Sequence, residues 1–171
     1  MVLFFLKFIS EFLYIILYMI RYYETDEKEL DYVKELWEKL KHQHQSKAKY
    51  FFQEYENVVF ENRKEKLLKK SEKGFLRVDL AVDSSNEQVV GYCISSISNE
   101  IGEIDSLYVE EKFHSMGIDD NLMKRALTWM DAEGVENRKV QLFAGNDDTI
   151  QFYSHYGFHP IQIILKQKKM I

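Results

Sequence analysis

Between Ile101 and Met130 the chain holds residues whose types and spacing point to anion binding. The segment Phe113-His114-Ser115-Met116-Gly117-Ile118-Asp119-Asp120 carries one glycine and lies between two different periodicities. Ahead of it, Ile104, Leu107 and Val109 read as the inward face of a strand. Behind it, Leu122, Met123, Ala126, Leu127 and Met130 recur on one face of a helix. A strand that feeds a helix through a short turn aims free backbone N–H groups, and the positive end of the helix dipole, at one spot. Such a turn can hold a phosphate or a carboxylate; an ordinary strand-turn-helix corner with an aspartate cap is the other reading. The remaining reactive residues offer less. Cys93 is the one cysteine and lies in an apolar run over residues 89–97, which favours a buried, inert thiol over a nucleophile and excludes a disulfide framework or a cysteine metal cluster. His42 and His44 diverge by about 200° on a helix and cannot chelate one ion together, so they read as polar helix-end residues.

The elements that must position this turn follow from composition and pattern. With 171 residues, 46% hydrophobic and 30% charged, and only one proline, the chain supports one domain with a real core. A net charge of −5 disfavours a nucleic-acid partner, and the cysteine usage fits the cytoplasm. Residues 2–20 are hydrophobic over about the length of a membrane span, yet hold Lys7 and Glu11, each costly at a bilayer centre. We read residues 1–19 as a leader (an accessory helix, an anchor or an over-long start) and residues 20–171 as a single domain. A membrane contact through the leader is disfavoured but left open.

Within the domain, residues 20–24 read as a strand, and Asp26 with Glu29 as a capping box for an amphipathic helix to about His44. A second helix is expected over residues 46–70, with Phe51, Phe52, Tyr55, Val58 and Val59 inward and a solvated charged end. Strands are expected from Phe75, over 89–98, over the stretch from Ile101, over 139–144 and over 161–165, with a last helix over 146–156. The order is β-α-α-β-β-β-α-β-α-β.

Two segments carry a family resemblance. Leu107-Tyr108-Val109 followed by His114-x-x-Gly117-x-Asp119-x-x-Leu122 resembles the Arg/Gln-x-x-Gly-x-Gly/Ala turn of the GNAT superfamily of acyl-CoA-dependent N-acyltransferases. Asn146-x-x-Thr149-x-x-Phe152-Tyr153-x-x-x-Gly157-Phe158 is similar to the family's N-x-x-A-x-x-x-Y-x-x-x-G-F, and is the more specific of the two. The likeness covers residues 20–166 and implies an α+β fold: a mixed, mostly antiparallel twisted sheet flanked by helices, here with an extra N-terminal hydrophobic segment. It also implies acetyl-CoA as co-substrate. Backbone groups of Leu107, Tyr108 and Val109 would bond the pantetheine arm, and His114, Ser115, Met116, Gly117, Ile118, Asp119 and Asp120 would surround the pyrophosphate. Asn146 would contact the arm. Tyr153 would protonate the leaving thiolate as general acid, and Glu103 would take the amine proton, with Asp105 in reserve.

Strand parity sets Glu103 beside Asp105, Leu107 and Val109. His114, Thr149 and Asp119 depart from the family pattern, and Asp119 with Asp120 brings two carboxylates to a phosphate mouth. The resemblance implies an N-acetyltransferase acting by direct attack on a primary amine of a small molecule or peptide, with His42, His44, Tyr50 and Tyr55 shaping its pocket. The rival is a degenerate, non-catalytic fold that serves as an interaction module. A homodimer is left open.

Overall fold

The computed structural model describes residues 19–143 and 147–167. Strand β1 (Ile20–Thr25) leads into a 3-10 segment (Glu27–Val33) and helix α1 (Lys34–Lys47). A short 3-10 turn (Phe52–Tyr55) precedes α2 (Phe60–Ser71). Strands β2 (Gly74–Asp83), β3 (Gln88–Ser98) and β4 (Ile101–Val109) form a meander. A 3-10 turn (Glu111–Met116) then opens α3 (Ile118–Ala132), and β5 (Asn137–Val140) and α4 (Asp147–Ser154) follow. The sheet runs β1-β2-β3-β4-β5, antiparallel throughout except for the parallel β4–β5 pair. This is the expected mixed, mostly antiparallel sheet between helices.

Alternation along the strands gives each sheet face its own core. On one face Leu76, Val78, Leu80, Val82, Tyr92 and Ile94 pack against Leu30, Val33, Leu36 and Trp37 and against Phe60 and Leu67 of α2. On the other, Ala81, Cys93, Ile97, Ile104 and Val109 receive Ile118, Leu122, Met123, Ala126 and Met130 of α3, with Tyr153 of α4. Arg125 of α3 also reaches through to wholly buried Asp79 (Nε–Oδ1 2.7 Å), which Arg77 grips with two further bonds.

Local chemistry explains where expectation and structure part. Asp26 accepts the Lys28 N–H at 2.9 Å, while Glu29 accepts from the Thr25 hydroxyl at 2.7 Å, so the cap forms with the roles divided. The long second helix does not exist. Phe51 has φ +60°, Val59 is extended, and Phe52, Val58 and Val59 are exposed. Helix α2 starts where Phe60 can enter the core edge-on to Trp37, ring centroids 5.5 Å apart. Strand β5 ends at Val140 instead of continuing to residue 144, and Leu142 is exposed. Residues 161–165 form no strand; Ile161, Ile163, Ile164 and Leu165 stand almost fully exposed. The leader, apart from Met19, lies outside the described residues. Among the described residues no helix is long and apolar enough to cross a membrane.

Candidate active site at the open edge of β4

Strand β5 pairs with β4 only from Ile101 to Ile104, opposite Asn137 to Val140. Beyond that point, among the described residues, no strand lies on this side of β4. The Glu110 N–H bonds the Val90 carbonyl at 2.9 Å, which fixes the phase of the antiparallel β3–β4 ladder. Hydrogen-bonded and non-hydrogen-bonded pairs alternate, so the backbone groups of Leu107 and Val109 point into the opening, while those of Tyr108 turn to β3. Two of the three residues expected to bond an extended ligand therefore offer backbone groups to it. The third, Tyr108, instead lines a groove of about 530 Å³ with Lys39, Glu110, Glu111 and Lys112. His114 Nε2 donates to the Val109 carbonyl at 2.8 Å, so the fold already occupies one of the edge acceptors.

The opening has an identifiable cause. Ile94 pairs with Ser106 and Ser95 with Ile104, so Asp105 is an extra residue in β4, a β-bulge. A bulge inverts the side-chain phase. Ile104 faces α3, and so do Leu107 and Val109. Glu103 therefore does not share the side of Leu107 and Val109, as unbroken parity had it. It faces the α2 layer, where Lys70 Nζ lies 2.8 Å and Lys139 Nζ 3.2 Å from its Oε2.

Asp105 is held more tightly still. Its side chain is 0% exposed, and it accepts from Ser96 Oγ at 2.5 Å and Lys70 Nζ at 2.6 Å, with Arg63 Nη2 at 3.5 Å. Arg63 also bonds the Asp105 backbone carbonyl at 2.7 Å, clamping the bulge to α2. Burial pushes the Glu103 carboxyl up, but the hydrogen bonds and charges of Lys70 and Lys139 outweigh it and hold the group below its ordinary value. Sequence reasoning missed Arg63, Lys70 and Lys139. The available signal was the seven-residue spacing of Arg63 and Lys70, two turns along one helix face.

At the turn, Gly117 adopts φ +64°, the left-handed conformation that lets the chain break from the 3-10 turn into α3. Gly91 allows the close approach of that helix start to the sheet: a Cβ there would lie 3.1 Å from Val109 Cγ2 and 3.3 Å from Ile118 Cγ2. The N–H groups of Ile118 and Asp119 lead the helix with no carbonyl behind them in its ladder. The two carboxylates differ in role. Asp119 Oδ1 accepts the Asp120 N–H at 2.9 Å, so its charge sits at the helix start where an anion would bind. Asp120 is drawn aside by Lys124 and by the Tyr156 hydroxyl, which together hold its carboxyl below the usual range. Ser115 is exposed, and Met116 packs partly against the core.

Tyr153 comes from α4, whose end is fixed by Gly157 at φ +82° and by the Phe158 N–H on the Tyr153 carbonyl at 3.2 Å. Its ring is 5% exposed, edge-on to Phe152 (5.2 Å) and Phe158 (5.9 Å). Burial raises the phenol well above its ordinary value, and the nearby Cys93 and Tyr92 add to that. Cys93 pairs with Leu107, so Tyr153 packs in the core beneath the open edge. The Cys93 thiol is wholly buried and pushed far up, which fits the inert reading. Asn146 lies outside the described residues. Among the described residues no group of histidine, cysteine and acidic side chains could hold a metal ion.

Solved structures resemble this fold. No curated protein matches the sequence. Among solved structures, a putative acetyl transferase from Pyrococcus furiosus is similar with TM-score 0.62 at 18% identity, covering 87% of this chain and 100% of that one. A mutant of the BH1408 protein from Bacillus halodurans is similar with TM-score 0.65 at 15% identity, covering 88% and 99%. Aminoglycoside N-acetyltransferase AAC(6')-Iy in complex with CoA is similar with TM-score 0.59 at 13% identity, covering 89% and 95%. At these identities the likeness speaks for the fold. The family model for the acetyltransferase (GNAT) family matches residues 31–158, three quarters of the sequence, and spans both the open edge and the Tyr153 helix. The chain belongs to the acetyltransferase (GNAT) family.

Proposed function

We propose that the chain is an N-acetyltransferase that moves an acetyl group from acetyl-CoA to a primary amine by direct attack. The observation that carries this reading is the edge of β4 left open by the Asp105 bulge, with Tyr153 packed beneath it. Acetyl-CoA supplies the activated acetyl group. Leu107 and Val109 bind an extended amide-bearing arm as an added strand would be bound. In the reaction the amine nitrogen forms the amide bond, the thioester C–S bond breaks, and the thiol leaves. Tyr153, its phenol held protonated by burial, gives its proton to the departing sulfur. Glu103, kept ionised by its two lysines, receives the proton the amine sheds. Calorimetry with acetyl-CoA, followed by thiol release across a panel of amines, tests the proposal; no binding up to millimolar acetyl-CoA would sink it. The domain is read as residues 20–171, preceded by the leader over residues 1–19 (an accessory helix, an anchor or an over-long start).

Glu103→Gln is expected to lower kcat/KM at neutral pH by about 10²-fold, the low end for general base catalysis because a depressed pKa makes a weak base. The limb of the profile that rises toward alkaline pH should shift as well. Since the folded value is lowered, the contribution of these ion pairs to stability is complete above the ordinary glutamate value. It is lost as pH falls below that value and through the lowered one. An unchanged rate and profile would assign the proton to water or bulk solvent, Asp105 being fully engaged by Ser96, Lys70 and Arg63.

A non-catalytic binding fold is the second reading, favoured by Asp119 lying on the helix start. A carboxylate about 5 Å from a phosphate charge repels it by roughly 3 kcal/mol at an effective dielectric of 20. Backbone N–H bonds to the anion, at about 1.5–3 kcal/mol each, outweigh this in number. Acetyl-CoA binding should therefore survive in weakened form. Asp119→Gly is expected to tighten it by about 10- to 10²-fold, more at low salt than at high salt. If neither the parent nor this variant binds acetyl-CoA, the non-catalytic reading stands.

A further inference from the structure

We infer, resting on the acetyltransferase reading, that the acceptor is a single amine on an aromatic or apolar body, received by the rings of Phe143, Tyr55 and His44, and not a polycation. Three separate segments bring these rings together. Phe143 follows β5, three residues past the point where that strand leaves β4. Its ring centroid lies 5.0 Å from His44 of α1 and 5.2 Å from Tyr55 of the 3-10 turn, and the last two are 6.4 Å apart. The cluster thus bridges the far lip of the opening and the helical layer. Phe143 thus lies just past Val140, the last residue paired with β4, where the opening begins.

Phe143 is nonetheless 57% exposed, and Leu142 beside it in sequence is exposed too. Apolar surface left uncovered at the mouth of a polar cleft marks the place where an apolar ligand body is received.

Charge supports the same acceptor. A polycation is recognised by carboxylates with charge to spare, whereas Glu103, Asp105 and Glu54 already hold cations. Glu103 is shared by Lys70 and Lys139, Asp105 by Lys70 and Arg63, and Glu54 is paired with Lys166 at 2.5 Å. Each extra positive charge on the acceptor would have to displace a lysine for no net gain. A single amine on an aryl body needs no such anion, because the three rings pack against the body itself. Burial, and after it the Lys47 charge, lowers the His44 pKa, so an uncharged ring faces the acceptor's apolar body at neutral pH.

The test is thiol release at saturating acetyl-CoA with tryptamine, 2-phenylethylamine, spermidine and sisomicin as acceptors. The two arylalkylamines should show the highest kcat/KM. Phe143→Ala should raise KM for tryptamine by about 10- to 10²-fold, the range for losing burial of one aromatic ring. It should change spermidine kinetics far less and leave acetyl-CoA affinity by calorimetry as it was, and Phe143→Tyr should restore tryptamine. Preference for spermidine or sisomicin, or an equal effect of Phe143→Ala on every amine, overturns the inference while leaving the acetyltransferase reading intact. Failure to bind acetyl-CoA at all overturns both.

Discussion

Replacing Tyr153 with phenylalanine is expected to lower kcat by about 10²- to 10⁴-fold, the range for losing a general acid. The acetyl-CoA dissociation constant should stay within about twofold. The substitution separates chemistry from structure because the ring contacts with Phe152 and Phe158 do not involve the hydroxyl. Burial raises the phenol far above its ordinary value, so Tyr153 keeps its proton across the neutral range and is a weaker acid than a free phenol, its proton passing to the sulfur only as the C–S bond breaks. Single-turnover measurements of thiol release would show the loss in the chemical step. Turnover equal to the parent would remove Tyr153 from the mechanism and leave the thiolate to solvent.

Asp105→Ala should be the most damaging single change to stability near the site. It removes the carboxylate that Ser96, Lys70 and Arg63 all address, and leaves the nearly buried Ser96 hydroxyl and two cations without it. Breaking a buried pair by deleting one partner costs about 3–5 kcal/mol. Lys70 and Arg63 are part-exposed, so a loss of about 3 kcal/mol is expected, read as a fall in Tm of roughly 6–12 °C for a domain of this size. Asp105→Asn should recover part of it through Ser96. A shift below about 2 °C by calorimetry would show that the clamp on the bulge is a surface ion pair in its effect.

Much of this was legible in the residues. Leu30, Val33, Leu36 and Trp37 entered the core as their helical spacing requires, and the even-numbered apolar positions of β2 did so as alternation requires. The turn at Gly117 and the helix holding Tyr153 lie where their signatures put them. The bulge was written in the sequence too, though hidden. Ile104, Leu107 and Val109 are spaced three and then two apart, which a regular strand cannot bring to one face. Reading the three as one face was right; carrying Glu103 across on unbroken parity was not. The second helix failed for a different reason. Phe51 to Val59 are apolar enough for a helix face, but of residues 51–60 only Phe60 is buried in the core, and tertiary packing decided against the local pattern.

The open edge of β4 also bears on how this protein avoids itself. Unpaired strand edges are templates for association with other chains, and apolar stretches such as residues 161–165 would be ready partners. Here the free stretch of β4 runs only from Asp105 to Val109 and offers outward backbone groups at Leu107 and Val109. His114 takes up the Val109 carbonyl, leaving a foreign strand even less to hold. A thin ligand arm needs only a few such bonds because its other contacts lie elsewhere, whereas a second polypeptide would need a continuous ladder. The shortness of the gap thus favours a narrow guest over a second polypeptide at this place on β4.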